Sequence, residues 1–357
     1  MQSFFSNRLS NASSITRKLS LISFALSFVL FNGSAFGQVS PNFSPQPAAL
    51  SGVATPASGV EIVPSSAPAL GPILYAFYVD SSTRVSYSYS TDGVNYEGKG
   101  TPVSTTTGGF YLADCNAATG ASTCAASAVA TNNGIYIAFS EGSTHYLDVV
   151  LATQDPQSAT PALQFNLVYR ATNVFLTTAP GLIVYGNKLI INYGTNNNPS
   201  IHNAGWVSAY DFGAGTWSTY SNNATFPTKP GMAIFGGQLY EITKQNNSQN
   251  HIWVSRLDIN GVIIPNTPTE INPAFQVASG ITATVYEGNI VFCGTNNNGS
   301  GQLDIYSSPD GVNWYAVNYS SLTMGATAGI AVFNNGLATA FKVDSSSDIL
   351  SASFAAN

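Results

Sequence analysis

The sequence predicts an all-β fold of six repeated units closed into a ring, and three observations carry that prediction. From about residue 59 onward the chain repeats, with second strands opening at Ile73, Ile135, Leu189, Leu239, Ile290 and Leu337, a period near 50 residues. Each unit pairs two short apolar runs around a turn of Gly, Asn or Glu, as in GLIVYGNKLIINY and ITATVYEGNIVFCG. No stretch shows an amphipathic helix of ten or more residues. Hairpins repeating at this spacing read as the blades of a β-propeller. The expectation is six blades of four antiparallel strands, with the ring closed by pairing of N- and C-terminal strands.

Composition narrows the function classes. Of 357 residues, 44% are hydrophobic and only 8% charged, with a formal net charge of −6. That apolar share can build a core, so the chain is not read as disordered. An acidic, sparsely charged chain lacks the basic stripe that nucleic acid or an anionic membrane requires.

The elements follow in order. Residues 1–37 read as a secretory signal. Arg8, Arg17 and Lys18 precede the apolar run Leu19–Phe31, which is shorter than the roughly 20 residues of a membrane span. Small residues at Ala35 and Gly37 place cleavage before Gln38. The mature protein is therefore expected outside the cytoplasm, extracellular or periplasmic, with no further membrane span. Residues 38–58, rich in Pro, Ala and Ser, read as a linker, and 59–357 as the propeller.

Within each unit the hairpin leads to a polar loop and a third strand, such as VSYSYS, GWVSAYD or LDIYSS. A short fourth strand follows in five units. The sixth unit ends at Asn357 without one, and Gly59–Val63 is the expected source of the missing strand. Such closure removes exposed sheet edges. Cys115 and Cys124 lie in a loop rich in Ala, Thr and Gly and are expected to form a disulfide in an exported chain. Cys293, inside an apolar strand, is expected to be a buried free thiol.

The turns between third and fourth strands carry the most specific motif. They read Ser90-Thr-Asp92-Gly-Val-Asn-Tyr96 and Ser308-Pro-Asp310-Gly-Val-Asn-Trp314, with weaker copies around Asp211 and Asp258. In each, the carboxylate can accept backbone N–H bonds of its own turn while Gly supplies a positive φ. These are structural roles. The motif resembles the Asp-box of the sialidase and BNR-repeat propellers, over roughly residues 59–357. The resemblance implies an arginine triad holding a substrate carboxylate, a Tyr nucleophile paired with Glu, and an Asp acid/base. This sequence lacks the Arg-Ile-Pro-like motif that carries the first arginine. Beyond the leader its arginines are Arg84, Arg170 and Arg256, and no family catalytic residue transfers to it.

Topology assigns the working face. In an up-and-down blade the 2–3 loops and the crossings between blades share one end, opposite the Asp turns. Ligand-binding candidates on that end are Arg84, His145, Asn196, Asn197, His202, Asn246, Asn247, His251, Asn296 and Asn297. Amides and imidazoles at matching places offer donors and acceptors for sugar hydroxyls. The three His sit on separate blades, too far apart to converge on a metal. For glycoside hydrolysis, which needs two placed carboxylates, the working-face candidates are Asp114 and Glu141. No cofactor motif is found. The expected function is an exported, non-catalytic binder of glycan or another extracellular polymer. The alternatives are a sialidase-like glycoside hydrolase or lyase, and a structural or protein-interaction propeller of the cell envelope.

Overall fold

The computed structural model describes residues 42–43, 54, 58–67, 71–105, 108–109, 125–142, 144–154, 160–195, 204–244, 250–297, 301–343 and 349–355. These residues contain strands and turns and no helix. All belong to one compact unit, Pro41–Asn357.

Six four-stranded antiparallel sheets make the ring. A short strand, β1 (Asn42–Phe43), comes first in the chain. Blade 1 holds β2 (Glu61–Ala67), β3 (Gly71–Val79), β4 (Val85–Ser90) and β5 (Glu97–Pro102), followed by a small hairpin, β6 (Ser104–Thr105) with β7 (Gly108–Gly109). Blade 2 holds β8 (Ser127–Thr131), β9 (Gly134–Ser140), β10 (Leu147–Gln154) and β11 (Leu163–Ala171). Blade 3 holds β12 (Gly181–Tyr185), β13 (Lys188–Thr195), β14 (Ala204–Asp211) and β15 (Thr216–Thr225). Blade 4 holds β16 (Gly231–Phe235), β17 (Gln238–Lys244), β18 (Ile252–Leu257) and β19 (Thr269–Glu270). Blade 5 holds β20 (Thr282–Tyr286), β21 (Asn289–Thr295), β22 (Gln302–Ser308) and β23 (Tyr315–Thr323). Blade 6 holds β24 (Gly329–Phe333), β25 (Gly336–Lys342) and β26 (Ile349–Ala355), with β1 as its fourth strand.

The closing strand differs from the expectation. Glu61–Ala67 is the innermost strand of blade 1, paired along its length with β3. It is β1, from within the Pro-rich segment, that pairs with β26 through Asn42–Ala355 and Phe43–Phe354. Pro64 is tolerated in β2 because an innermost strand has a free edge on which a missing N–H costs no ladder bond. The ring is still closed by chain-end pairing.

The innermost strands β2, β8, β12, β16, β20 and β24 contact one another in sequence around a closed circuit. They enclose an axial cavity of about 420 Å³, with apolar walls such as Ile62, Ile183 and Val285. Glu61 of blade 1 and Lys229, at the entry to blade 4, form a buried ion pair across this axis.

The second strands explain the packing. In β3, Tyr75, Phe77 and Val79 join a cluster with blade 2 residues such as Ile137. Leu74, Ala76 and Tyr78 of the same strand join a cluster with Ala338 and Ala340 of blade 6. A strand sandwiched between two blades buries both faces, so its sequence is continuously apolar rather than alternating. Burying a side chain such as Phe77, fully enclosed here, contributes on the order of 1.5–3 kcal/mol. In four blades the ladder between third and fourth strands shifts register. Such bulges increase local twist.

Candidate functional site

The Asp turns lie at the end of the ring away from the 2–3 loops. Asp92 Oδ1 accepts the N–H groups of Val94 (2.8 Å) and Asn95 (2.7 Å), and its Oδ2 accepts from Asn95 Nδ2. Asp310 repeats the pattern with Val312 and Asn313. Asp211 accepts from Gly213 and Ala214, and Asp258 from Asn260 and Val262. Partial burial pushes the Asp92 carboxyl up, but the N–H donors of Asn95 and Val94 outweigh it and hold the group at about 2. Gly93, at φ 81°, lies where an added Cβ would meet the Phe333 ring of blade 6 at 3.0 Å. The turn thus locks onto the neighbouring blade.

At the opposite end, the loop residues are held by their own loops. Arg84 binds Asp80 through Nε (3.0 Å) and Nη2 (2.9 Å), and Asp80 also accepts from Ser82 and Arg84 backbone N–H groups. His145 adopts φ 57°, and its N–H donates to Glu141 O (2.9 Å) while its C=O accepts from Leu176 (2.8 Å). His251 Nδ1, just before β18, lies 2.6 Å from Glu270 Oε1 of β19. Asn296 donates to Asp304 Oδ2 at 2.6 Å, and Asn297 to Gln276 Oε1 at 3.3 Å. Glu141 accepts the Thr144 hydroxyl at 2.5 Å. Arg170 clamps Asp148 with both Nε and Nη2, at 2.7 and 2.5 Å. Asn196, Asn197, His202, Asn246, Asn247, Asp114, Cys115 and Cys124 lie outside the described residues. Cys293 is a buried free thiol beside Thr282 Oγ1, and burial pushes it up to about 12.

A different place gathers unsatisfied polar groups. Between blades 3 and 4 lies a cleft of about 440 Å³. One wall comes from Asn222, Ala224 and Thr225 at the end of β15. The other comes from Thr243 and Lys244, which end β17, and from Trp253 and Ser255 of β18. The segment leading from β18 to β19 covers the outer side with Ile263, Pro265 and Pro268.

Local sequence explains why the cleft opens here. Blade 4 has an outer strand of only two residues, β19. Pro265 and Pro268 donate no backbone N–H and cannot extend that ladder. On the blade 3 side, Gly194 and Gly205 form a cross-strand pair against which Phe226 packs, so close that an added Cβ at either would meet it within 3 Å.

The polar atoms are unusual. Trp253 Nε1 and Asn222 Nδ2 are buried donors without a hydrogen-bond partner among the described residues. Asn222 is 2% exposed, and its Oδ1 is already engaged by Ile263 N–H at 2.7 Å. Behind Ser255 stands Glu241, its partner across the β17–β18 ladder. Cross-strand partners share a face of the sheet. Glu241 Oε2 accepts from Asn192 Nδ2, while Glu241 Oε1 and Asn192 Oδ1 are buried and unpartnered. Burial raises the Glu241 carboxyl to about 8, the Asn192 bond offsetting it only in part. At neutral pH the group is mostly protonated, and with Oε2 occupied its proton belongs on Oε1. Buried polar groups without partners are rare in native interiors and call for an explanation. Sequence reading missed all four residues because they come from two blades and meet only after folding. The available signals were the Pro-interrupted run after β18 and a Trp in the third strand of that same unit.

Solved structures share the fold. An α-L-arabinofuranosidase of Fusarium graminearum, a mutant in complex with an iminosugar inhibitor, matches with a TM-score of 0.64 at 11% identity, covering 88% of this chain and 98% of that one. A lectin of Aleuria aurantia, a six-bladed β-propeller with a novel fucose recognition mode, matches with a TM-score of 0.54 at 12% identity, covering 84% and 92%. At such identity the likeness establishes the fold alone. No family model matches the chain, and no curated protein matches it.

Proposed function

We propose that this protein is an exported carbohydrate-binding propeller without catalytic activity, and that the cleft between blades 3 and 4 is its ligand site. One observation carries the reading. Trp253 and Asn222 line one small-molecule-sized cleft, and their Nε1 and Nδ2 donors are buried with no hydrogen-bond partner among the described residues. A volume of about 440 Å³ falls in the usual range for small-ligand sites, roughly 300–1,000 Å³. An indole offers a flat apolar face with a polar edge, which suits a sugar ring whose hydroxyls ring an apolar patch. Lectins and glycosidases among the proteins of similar fold agree with a carbohydrate ligand.

The sialidase-like alternative is less well supported. A carboxylate clamp needs free guanidinium forks, and Arg84 and Arg170 are both committed to Asp80 and Asp148. Hydrolysis by two carboxylates needs the pair within about 5–9.5 Å across the bond cleaved. Among the described residues no carboxylate lines the cleft; Glu241 stands behind Ser255, and Glu270, the cross-strand partner of Trp253, lies against His251 Nδ1. A glycan array with the protein lacking residues 1–37, run beside a fluorogenic glycoside panel, tests the reading. Glycan binding without turnover is the expected result. Turnover of any glycoside, or an array with no binding, would refute it.

A further inference from the structure

Resting on that reading, we infer that the cleft between blades 3 and 4 takes one uncharged sugar unit, with Trp253 and Asn222 donating to its hydroxyls. The chemistry of the walls selects against acidic sugars. Among the described residues no arginine lines the cleft, and the cation that does, Lys244, donates to Ala278 O at 3.3 Å. The carboxyl behind Ser255 sits in an enclosure that disfavours negative charge, and a ligand carboxylate entering beside it meets the same cost. Hydroxyls, by contrast, both accept and donate. They can satisfy the indole and amide N–H groups while donating in turn to solvent or to a wall oxygen.

The 3–4 interface has an apolar cluster of its own, in which Ile190, Val207, Leu239 and Leu257 pack together as residues do at the 1–2, 2–3, 4–5 and 6–1 interfaces. The cleft shares Ile263 with that cluster, and one cleft takes one ligand.

The test uses the protein's four Trp residues. Uniform ¹⁵N labelling gives one indole N–H signal for each, and Trp253→Phe identifies that of Trp253. The protein is titrated with neutral methyl glycosides and with the matching uronic acids. The expected result is that a neutral glycoside shifts the Trp253 signal saturably at one equivalent per chain. Trp253→Phe removes the donor together with part of the ring, while Asn222→Asp keeps the acceptor for Ile263 and removes only the Nδ2 donor. Each should weaken binding about five- to tenfold, the scale of one hydrogen bond, and the matching uronic acid should bind more weakly. If one variant fails to fold, the other carries the test. Glycan binding that leaves the Trp253 signal in place, or that survives both changes, overturns this site while leaving the carbohydrate reading intact. A uronic acid that binds as tightly as its neutral partner overturns the ligand class. No binding by any sugar overturns the carbohydrate reading itself.

Discussion

Glu241 is the residue where burial and charge conflict most directly. It is 1% exposed, and its carboxyl sits at about 8 against an ordinary 4.5. Below pH 4.5 both folded and unfolded chains hold the proton, and the group costs nothing. Between 4.5 and about 8 the unfolded chain releases the proton while the folded chain keeps it, so stability falls as pH rises. Glu241→Gln removes the titration and keeps the amide-sized shape. The variant should gain stability relative to wild type between pH 5 and pH 8, by up to a few kcal/mol at about 1.4 kcal/mol per pKa unit. Thermal melts of both proteins at the two pH values measure this difference. A constant difference across that range would mean that Glu241 is not held protonated.

The turns and strands show how much each element reveals of itself. Asp310→Ala removes the acceptor for two backbone N–H groups and should cost about 1–3 kcal/mol. Because the turn lies at the far end from the cleft, glycan affinity of the folded fraction should be unchanged. The Asp92 carboxylate, held at about 2, stabilises the fold above its unfolded pKa near 4. That contribution is lost as pH falls toward 2, so Asp92→Asn should flatten the acid limb of the stability curve. These turns and the second strands were legible because each states its role locally. A Ser-x-Asp-Gly run closes itself, and a strand buried on both faces spells an unbroken apolar word, as GPILYAFYV does. The innermost strand of blade 1 was misplaced because EIVPSSA contains Pro and two Ser, tolerable only on a strand edge beside an open axis. The closing strand is two residues long, and only its partner β26 identifies it. Loop residues such as Arg84 and His251 looked available because a sequence does not show that Asp80 and Glu270 engage them.

At the scale of the ring, the Glu61–Lys229 pair joins blades 1 and 4 across the axis, and both residues are buried. Lys229→Met strands a buried carboxyl and should destabilise the protein by about 3–5 kcal/mol. The double change with Glu61→Gln should recover much of that loss, since a neutral pair needs no counter-charge. Melting temperatures of the two single variants and the double test the coupling, and additive losses would show that the residues act independently. The same ring frames the cleft: between blades 3 and 4, where blade 4 has an outer strand of two residues, Trp253 Nε1 and Asn222 Nδ2 have no hydrogen-bond partner among the described residues. A crystal structure of the protein with its best-bound neutral glycan tests this most directly. The account predicts one sugar between blades 3 and 4, its hydroxyls within hydrogen-bond reach of Trp253 Nε1 and Asn222 Nδ2. A sugar seated instead on the 2–3 loops around His251 and Asn297, with the cleft unoccupied, would contradict it.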